Sequence, residues 1–408
     1  MKTTWLSWNE IYCLNRLWMQ PWEVVIWNSV YSRWFIWQIT SGVKTFIWWE
    51  IHNLTETIES GRRSALKKME EEVKRLNWFG IVWISNDVVF HDSNIEYISI
   101  WSIITNNTNS ATKIFAASNA QELYCQVDSG YMPVNYVFGN VAYSLWVWRS
   151  IIWNLKSLVR WEIKEYSDIF NHTRHLALER IVQDAKDNKA NAVVGIKTSI
   201  MPMFGTVEML MTWTASYNKN LTPYTKDIIT SDLPGPELWN LTKLWYIPLK
   251  LVLGTSVYSL WFIWWITSFF KSFIKWEIKE LTDMIYWARE HALEIINKEA
   301  ESIWADKVVW TQIYVYQLWW GLIEVMAIWT AVKKVENINT QSENLLLQAA
   351  IMDENTFTDM TYDRSNVWVT ARWQSNNFWT NPSIVIFFVR LIRFIIIIAV
   401  LTSLFQRW

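Results

Sequence analysis

At 408 residues the chain has room for two to four ordinary domains, each able to bury its own core. Its 37 basic and 38 acidic side chains leave a net charge of −1, a balance that argues against a nucleic-acid partner and against a strongly cationic one. The two cysteines, Cys13 and Cys125, and an N-terminal stretch, MKTTWLSWNEIYC, without an apolar signal-peptide core give no sign of an oxidising compartment.

Taken in chain order, the predicted elements recur. A β-rich start at Val24-Val25-Ile26 leads through a turn to Tyr31-Ser32. A helix follows, its start marked by Thr55-Glu56, a hydroxyl N-cap candidate with an acid in the first turn. Its core face is Ala65, Leu66, Met69, Val73 and Leu76 at helical spacing, and strands around Ile81-Val82 close the unit. After a polar stretch at 105–120 the succession starts again with Val137-Phe138, Tyr143-Ser144 and a helix from Ser167-Asp168. Val193-Val194 with Ile196 and Glu208-Met209-Leu210-Met211 end this second copy. Residues 218–236 are polar again. They precede Leu251-Val252-Leu253, Tyr258-Ser259, Thr282-Asp283, a helix face of Ala292, Leu293, Ile296, Ala300 and Ile303, and Val308-Val309. Anchored on Pro21, Pro133 and Pro248, the three copies run without a gap for sixty residues and share Arg62, Arg174 and Arg289 at one position.

The reading is therefore α+β. Small units at 1–104, 121–217 and 237–335 are joined by linkers at 105–120 and 218–236. A polar stretch follows at 336–382, then an apolar one at 383–408. Its segment SIVIFFVRLIRFIIIIAVLTSLF is long enough to span a bilayer. Arg390 and Arg393 each cost about 2.5–3.5 kcal/mol at a helix centre, but the apolar run after them lets the pair snorkel to one interface. A C-terminal membrane helix is the expectation, against an interfacial helix or one buried in an oligomer. This places the repeats in the cytoplasm, anchored to the inner face of the cell membrane.

The same alignment exposes an anomaly. The chain holds 33 Trp and 10 Gly, where average usage gives about 29 Gly. Trp18 and Trp245 align with Gly130, Trp27 with Gly139 and Gly254, and Trp83 and Trp310 with Gly195. One residue type lacks a Cβ and reaches φ > 0; the other is the bulkiest side chain. One backbone site does not suit both. Most of these tryptophans are expected to be glycines, as when a gene in which UGA means glycine is read with a table in which it means tryptophan. Trp239 is different, since it aligns with Tyr12 and Tyr124.

With those positions read as glycine, the copies resemble the YbjQ family, whose name is attached to heavy-metal binding. The resemblance rests on Val137-Phe138-Gly139-Asn140 with Tyr143-Ser144, on Ala288-Arg289-Glu290-His291-Ala292-Leu293, and on Ala190-Asn191-Ala192-Val193-Val194-Gly195. It covers about 80–90 residues per copy, and copy one departs most, with Gly61-Arg62-Arg63-Ser64 in the helix motif. The resemblance implies a bacterial protein of compact α+β units that self-associate into ring-like oligomers, commonly pentamers.

Candidate sites are few. The metal reading falls on Cys13 and Cys125, which meet only if the first two units pack together; there is no C-x-x-C. The structural alternative is a small buried hydrophobe at each position. His172 and His175 lie at i, i+3, a ligand pair or a surface helix pair. The repeated polar residues are Ser32/Ser144/Ser259, Glu50/Glu162/Glu277, Glu56/Asp168/Asp283 and the three arginines. They form either a ligand patch or structural contacts, with each Arg paired to an acid across an interface. No repeated His stands ready to activate the serines, and phosphate loops are absent. The expectation is a non-enzymatic binding or scaffold protein, with no predicted cofactor and a bound metal ion as the alternative.

Overall fold

The computed structural model describes residues 4, 6–32, 52–75, 78–91, 94–106, 113–144, 164–203, 206–259, 279–319, 322–336 and 338–345. All of them lie within one compact unit, Met1–Ala349. The expected membrane helix at 383–408 lies outside the described residues. Among those described, no helix is long and apolar enough to cross a membrane.

Copy one runs α1 (Trp8–Arg16), β1 (Met19–Ser32), α2 (His52–Arg75), β2 (Gly80–His91) and β3 (Asn94–Asn106). Copy two follows β4 (Ile114–Phe115) with α3 (Ala120–Asp128), β5 (Met132–Ser144), α4 (Lys164–Asp187), β6 (Ala192–Val194), β7 (Lys197–Met203) and β8 (Thr206–Tyr217). Copy three follows β9 (Ile229–Ser231) with α5 (Gly235–Lys243), β10 (Tyr246–Ser259), α6 (Lys279–Ser302), β11 (Lys307–Trp319) and β12 (Leu322–Lys334). The α+β class read from the sequence is the one observed. In each copy the last strand lies between the first and the hairpin partner, giving orders β1-β3-β2-β4, β5-β8-β6-β9 and β10-β12-β11, with β7 also on β8.

The apolar faces read as helical do form the core. Met69 and Val73 are buried on α2, and Ala292, Ile296 and Ala300 on α6. The turn expected before each Tyr-Ser pair is absent: the β-branched start and the Tyr-Ser pair belong to one long strand. The short helices α1 and α3 go beyond the sequence reading, yet their capping boxes are legible in it. Ser7 and Glu10 exchange side-chain and backbone bonds, as do Asn119 and Glu122.

Two expectations need correcting. Thr55 and Ser167 are not N-caps, because α2 and α4 begin three residues earlier, at His52 and Lys164. Their hydroxyls accept backbone N–H groups of the next copy, from Ala142 at 3.0 Å and Val257 at 2.9 Å. The stretches at 105–120 and 218–236 are also more than linkers. β4 pairs in parallel with β2 (Gly80↔Ile114) and β9 with β6 (Ala192↔Ile229), so the segment entering each copy extends the sheet of the copy before it. Only two or three residues pair in each case, too few to show through a polar composition.

The glycine anomaly has a backbone counterpart. Gly130 and Gly195 have φ of 90° and 89°. Trp18 and Trp245, at the position of Gly130, have φ of 61° and 64°, and Trp310, at that of Gly195, has 62°. A residue with a Cβ loses about 1–2 kcal/mol in that region. A Cβ at Gly139 or Gly254 would collide with the carbonyl oxygen of Ala177 or Ala292 on the overlying helix. Trp27 occupies their register position, opposite Ser99 as Gly139 is opposite Met211 and Gly254 opposite Ala327. The indole N–H groups of Trp213 and Trp329 are buried without a hydrogen-bond partner.

Candidate functional site

The repeated arginines lie at the junctions between copies. Arg174, on α4 of copy two, is wholly buried and faces the wholly buried Glu324 on β12 of copy three. Its Nη2 donates to both carboxylate oxygens at 2.9 and 2.7 Å and to the Tyr143 hydroxyl oxygen at 3.1 Å, and its Nε donates to Oε1 at 3.1 Å. Burial alone would favour the neutral guanidine, but the charge of Glu324 outweighs it, so the Arg174 pKa is raised rather than lowered. Tyr143, buried beside the pair, is pushed up to about 12 by burial, against the opposing pull of Arg174.

Copy one repeats the device. Arg62 on α2 donates from both Nη atoms to Glu208 on β8, the second bond at 2.9 Å, and Asn140 Nδ2 donates to the same carboxylate at 3.0 Å. Glu208 and Glu324 were not singled out in the sequence, although a signal exists. Glu96, Glu208 and Glu324 follow their anchoring prolines by 75, 75 and 76 residues. The added residue in copy three falls in the β11–β12 hairpin, where the register shifts between Gln317 and Trp319.

A second, less buried pair flanks the first. Arg63 Nη1 bonds Asp184 at 3.1 Å; at the same positions in the next copies His175 Nε2 meets Glu299 at 3.4 Å. Glu299 also takes a 2.6 Å bond from Lys250 Nζ and a 3.1 Å bond from the Leu253 N–H. Burial would raise the Glu299 carboxyl, but His175 and Lys250 hold it down at about 2. Burial likewise works against charged His175, and Glu299 outweighs it, so this histidine titrates above its ordinary value. His172 is exposed and His175 is engaged with Glu299. Glu56, Asp168 and Asp283 are exposed, while Glu50, Glu162 and Glu277 lie outside the described residues, as do the side chains of Ser32, Ser144 and Ser259.

Cys13 on α1 and Cys125 on α3 are both buried thiols, in one cluster with Tyr124 and Trp239. Packing of α1 on α3 places both cysteines in that cluster. Burial first, then the neighbouring Glu10, pushes the Cys13 thiol up to about 11, which disfavours the thiolate a metal needs. Among the described residues no group of three or more His, Cys, Asp or Glu stands close enough to hold a metal ion. The donor set is two sulfurs, suited only to a soft, low-coordinate ion. A cleft of about 450 Å³ carries Lys186, Lys189 and Lys226 around Asp227. It does not recur, since Asn77 and Trp304 replace Lys189 in the other copies.

The family model YbjQ_1, described as "Putative heavy-metal-binding", matches residues 131–218 and 246–335, the second and third copies. A UPF0145 protein of Colwellia psychrerythraea is 37% identical over 83 residues, 20% of this chain and 79% of that one. One of Vibrio campbellii is 39% identical over 80 residues, 19% of this chain and 77% of that one. An encapsulin nanocompartment protein of Mycobacterium tuberculosis is 26% identical over 206 residues, 48% of this chain and 76% of that one. No solved structure matches.

Proposed function

The chain belongs to the YbjQ family of UPF0145 proteins, and from that premise we propose that it is a non-enzymatic, self-associating scaffold protein tethered to a membrane by residues 383–405. The observation that carries this reading is the repeated junction. Two charge pairs, each with a wholly buried carboxylate, join one copy to the next, as Arg62–Glu208 and Arg174–Glu324. The arginines that recur in the copies are engaged, in copies one and two, in holding one copy on the next. A relative named for a nanocompartment supports a role in self-assembly. The repeats then belong on the cytoplasmic face. Light scattering of the full chain in mild detergent should give a protein mass at a multiple of 48.8 kDa; a single-chain mass at micromolar concentration rejects the reading. Carbonate extraction should leave the protein in the membrane pellet, and release into the supernatant removes the tether.

A second reading has its own observation in the shared cluster of Cys13 and Cys125. Here the protein binds one soft metal ion between two thiolates, with binding favoured as pH rises. Elemental analysis of protein loaded with a copper(I) salt should find one ion per chain, lost in Cys13→Ser/Cys125→Ser. Equal metal in both proteins eliminates this site.

A further inference from the structure

The short helices α1, α3 and α5 pack together, α3 against both of the others. They end alike in two copies and differently in one. Arg16 closes α1 and Lys243 closes α5, cations where a helix C-terminus carries partial negative charge. At the same position copy two has Asp128, an acid, and no basic residue stands in the last turn of α3. Asp128 is also buried. A charge of the wrong sign for the helix dipole, held out of water, needs compensating partners.

The partners come from far along the chain. After β12 the backbone returns across the end of α3 as an irregular strap, residues 339–345. The Ser342 hydroxyl donates to Asp128 Oδ1 at 2.7 Å, and the Ser342 N–H to Oδ2 at 3.2 Å. The Trp239 indole N–H, from α5, donates to the same Oδ2 at 2.6 Å. The last carbonyls of α3, which have no acceptor role within the helix, are engaged as well. Asp128 O accepts the Gln341 N–H at 2.8 Å, and Val127 O accepts the Gln341 side-chain amide at 3.1 Å.

Beneath the strap lie the two thiols. The Tyr124 hydroxyl shares a 3.2 Å hydrogen bond with Ser342, and Leu345 packs on the cluster of Cys13, Tyr124, Cys125 and Trp239. Both cysteines are wholly buried. The strap itself belongs to no helix or sheet, and its Gln341, Glu343 and Asn344 are exposed. A segment held by a few side-chain contacts opens at far lower cost than the core does.

We propose that residues 339–345 are a gate over the cysteine cluster, latched by Asp128, and that soft metal ions and electrophiles reach Cys13 and Cys125 only when it lifts. The latch accounts for the acid that copy two alone carries at the end of its short helix. The gate goes beyond the copper reading above, since a thiol reagent detects it without any metal.

Alkylation of the full chain by N-ethylmaleimide, with each cysteine followed by peptide mass, measures the opening. Ser342→Asp sets a second carboxylate against Asp128 without altering a helix or strand. It should speed alkylation of both cysteines about tenfold, with the urea midpoint unchanged. Asp128→Lys, the residue type that copy three carries there, should do the same. Asp128→Lys/Ser342→Asp, with the charges exchanged, should restore slow alkylation. Alkylation of Ser342→Asp at the wild-type rate, or a speeding seen only with a lowered midpoint, overturns the gate. Thiols that open with the strap yet hold no copper leave the gate standing and remove the metal reading.

Discussion

Arg174 and Glu324 tolerate burial only as a pair. Removing one partner leaves an uncompensated charge in the core, a loss of about 3–5 kcal/mol, whereas exposed neighbours such as Lys67 and Glu71 contribute little. The tryptophans at φ > 0 pose the opposite case, residues whose chemistry the backbone does not want. Trp245 is half exposed at φ 64°, so its ring gains little from burial while its Cβ strains the turn. Trp245→Gly is expected to raise stability by about 1 kcal/mol, the left-handed penalty less the entropic cost of glycine. Chemical denaturation measures it, and a loss of stability would argue that the ring belongs there. Protein from its native host, if these sites are glycine, should have an intact mass well below 48.8 kDa. This much was legible in the sequence, because sister copies compare one backbone site three times. The carboxylate partners were not, since an acid within a strand looks like a solvated position until its register places it under a helix.

At the scale of elements, α4 and β10 are held by charge as well as by packing. Glu299, depressed to about 2, contributes stability that is fully present above its unfolded value near 4.3 and is lost as pH falls through about 2. His175 is raised, so its contribution is complete below about 6.5 and is lost as pH rises through its folded value. The junction between copies two and three is therefore firmest between roughly pH 4.3 and 6.5. Hydrogen exchange of α4 amides should speed up as pH climbs past neutrality beyond the intrinsic rate, and His175→Arg, the copy-one chemistry, should suppress that excess. The same excess in both proteins would mean that His175 does not hold the junction. Helix faces and strand starts could be read from periodicity, but the hydroxyls of Thr55 and Ser167 could not: a hydroxyl followed by an acid reads as a cap, and only the neighbouring copy shows what it bonds.

At the scale of the whole molecule, three like units are joined by two junctions of one design. The sequence showed three copies in one frame and an Arg in each, but the direction of the junction appeared only when Arg62 was found on Glu208 and Arg174 on Glu324. The most direct test traps the contact covalently. In the Cys13→Ser/Cys125→Ser background, Ser167→Cys with Val257→Cys should oxidise within one chain, since these residues already meet at 2.9 Å. The closed form should run at the mass of one chain, 48.8 kDa, and faster than its reduced form on a non-reducing gel. A pair that stays open under oxidant, or that closes only between chains, would contradict the junction between copies two and three.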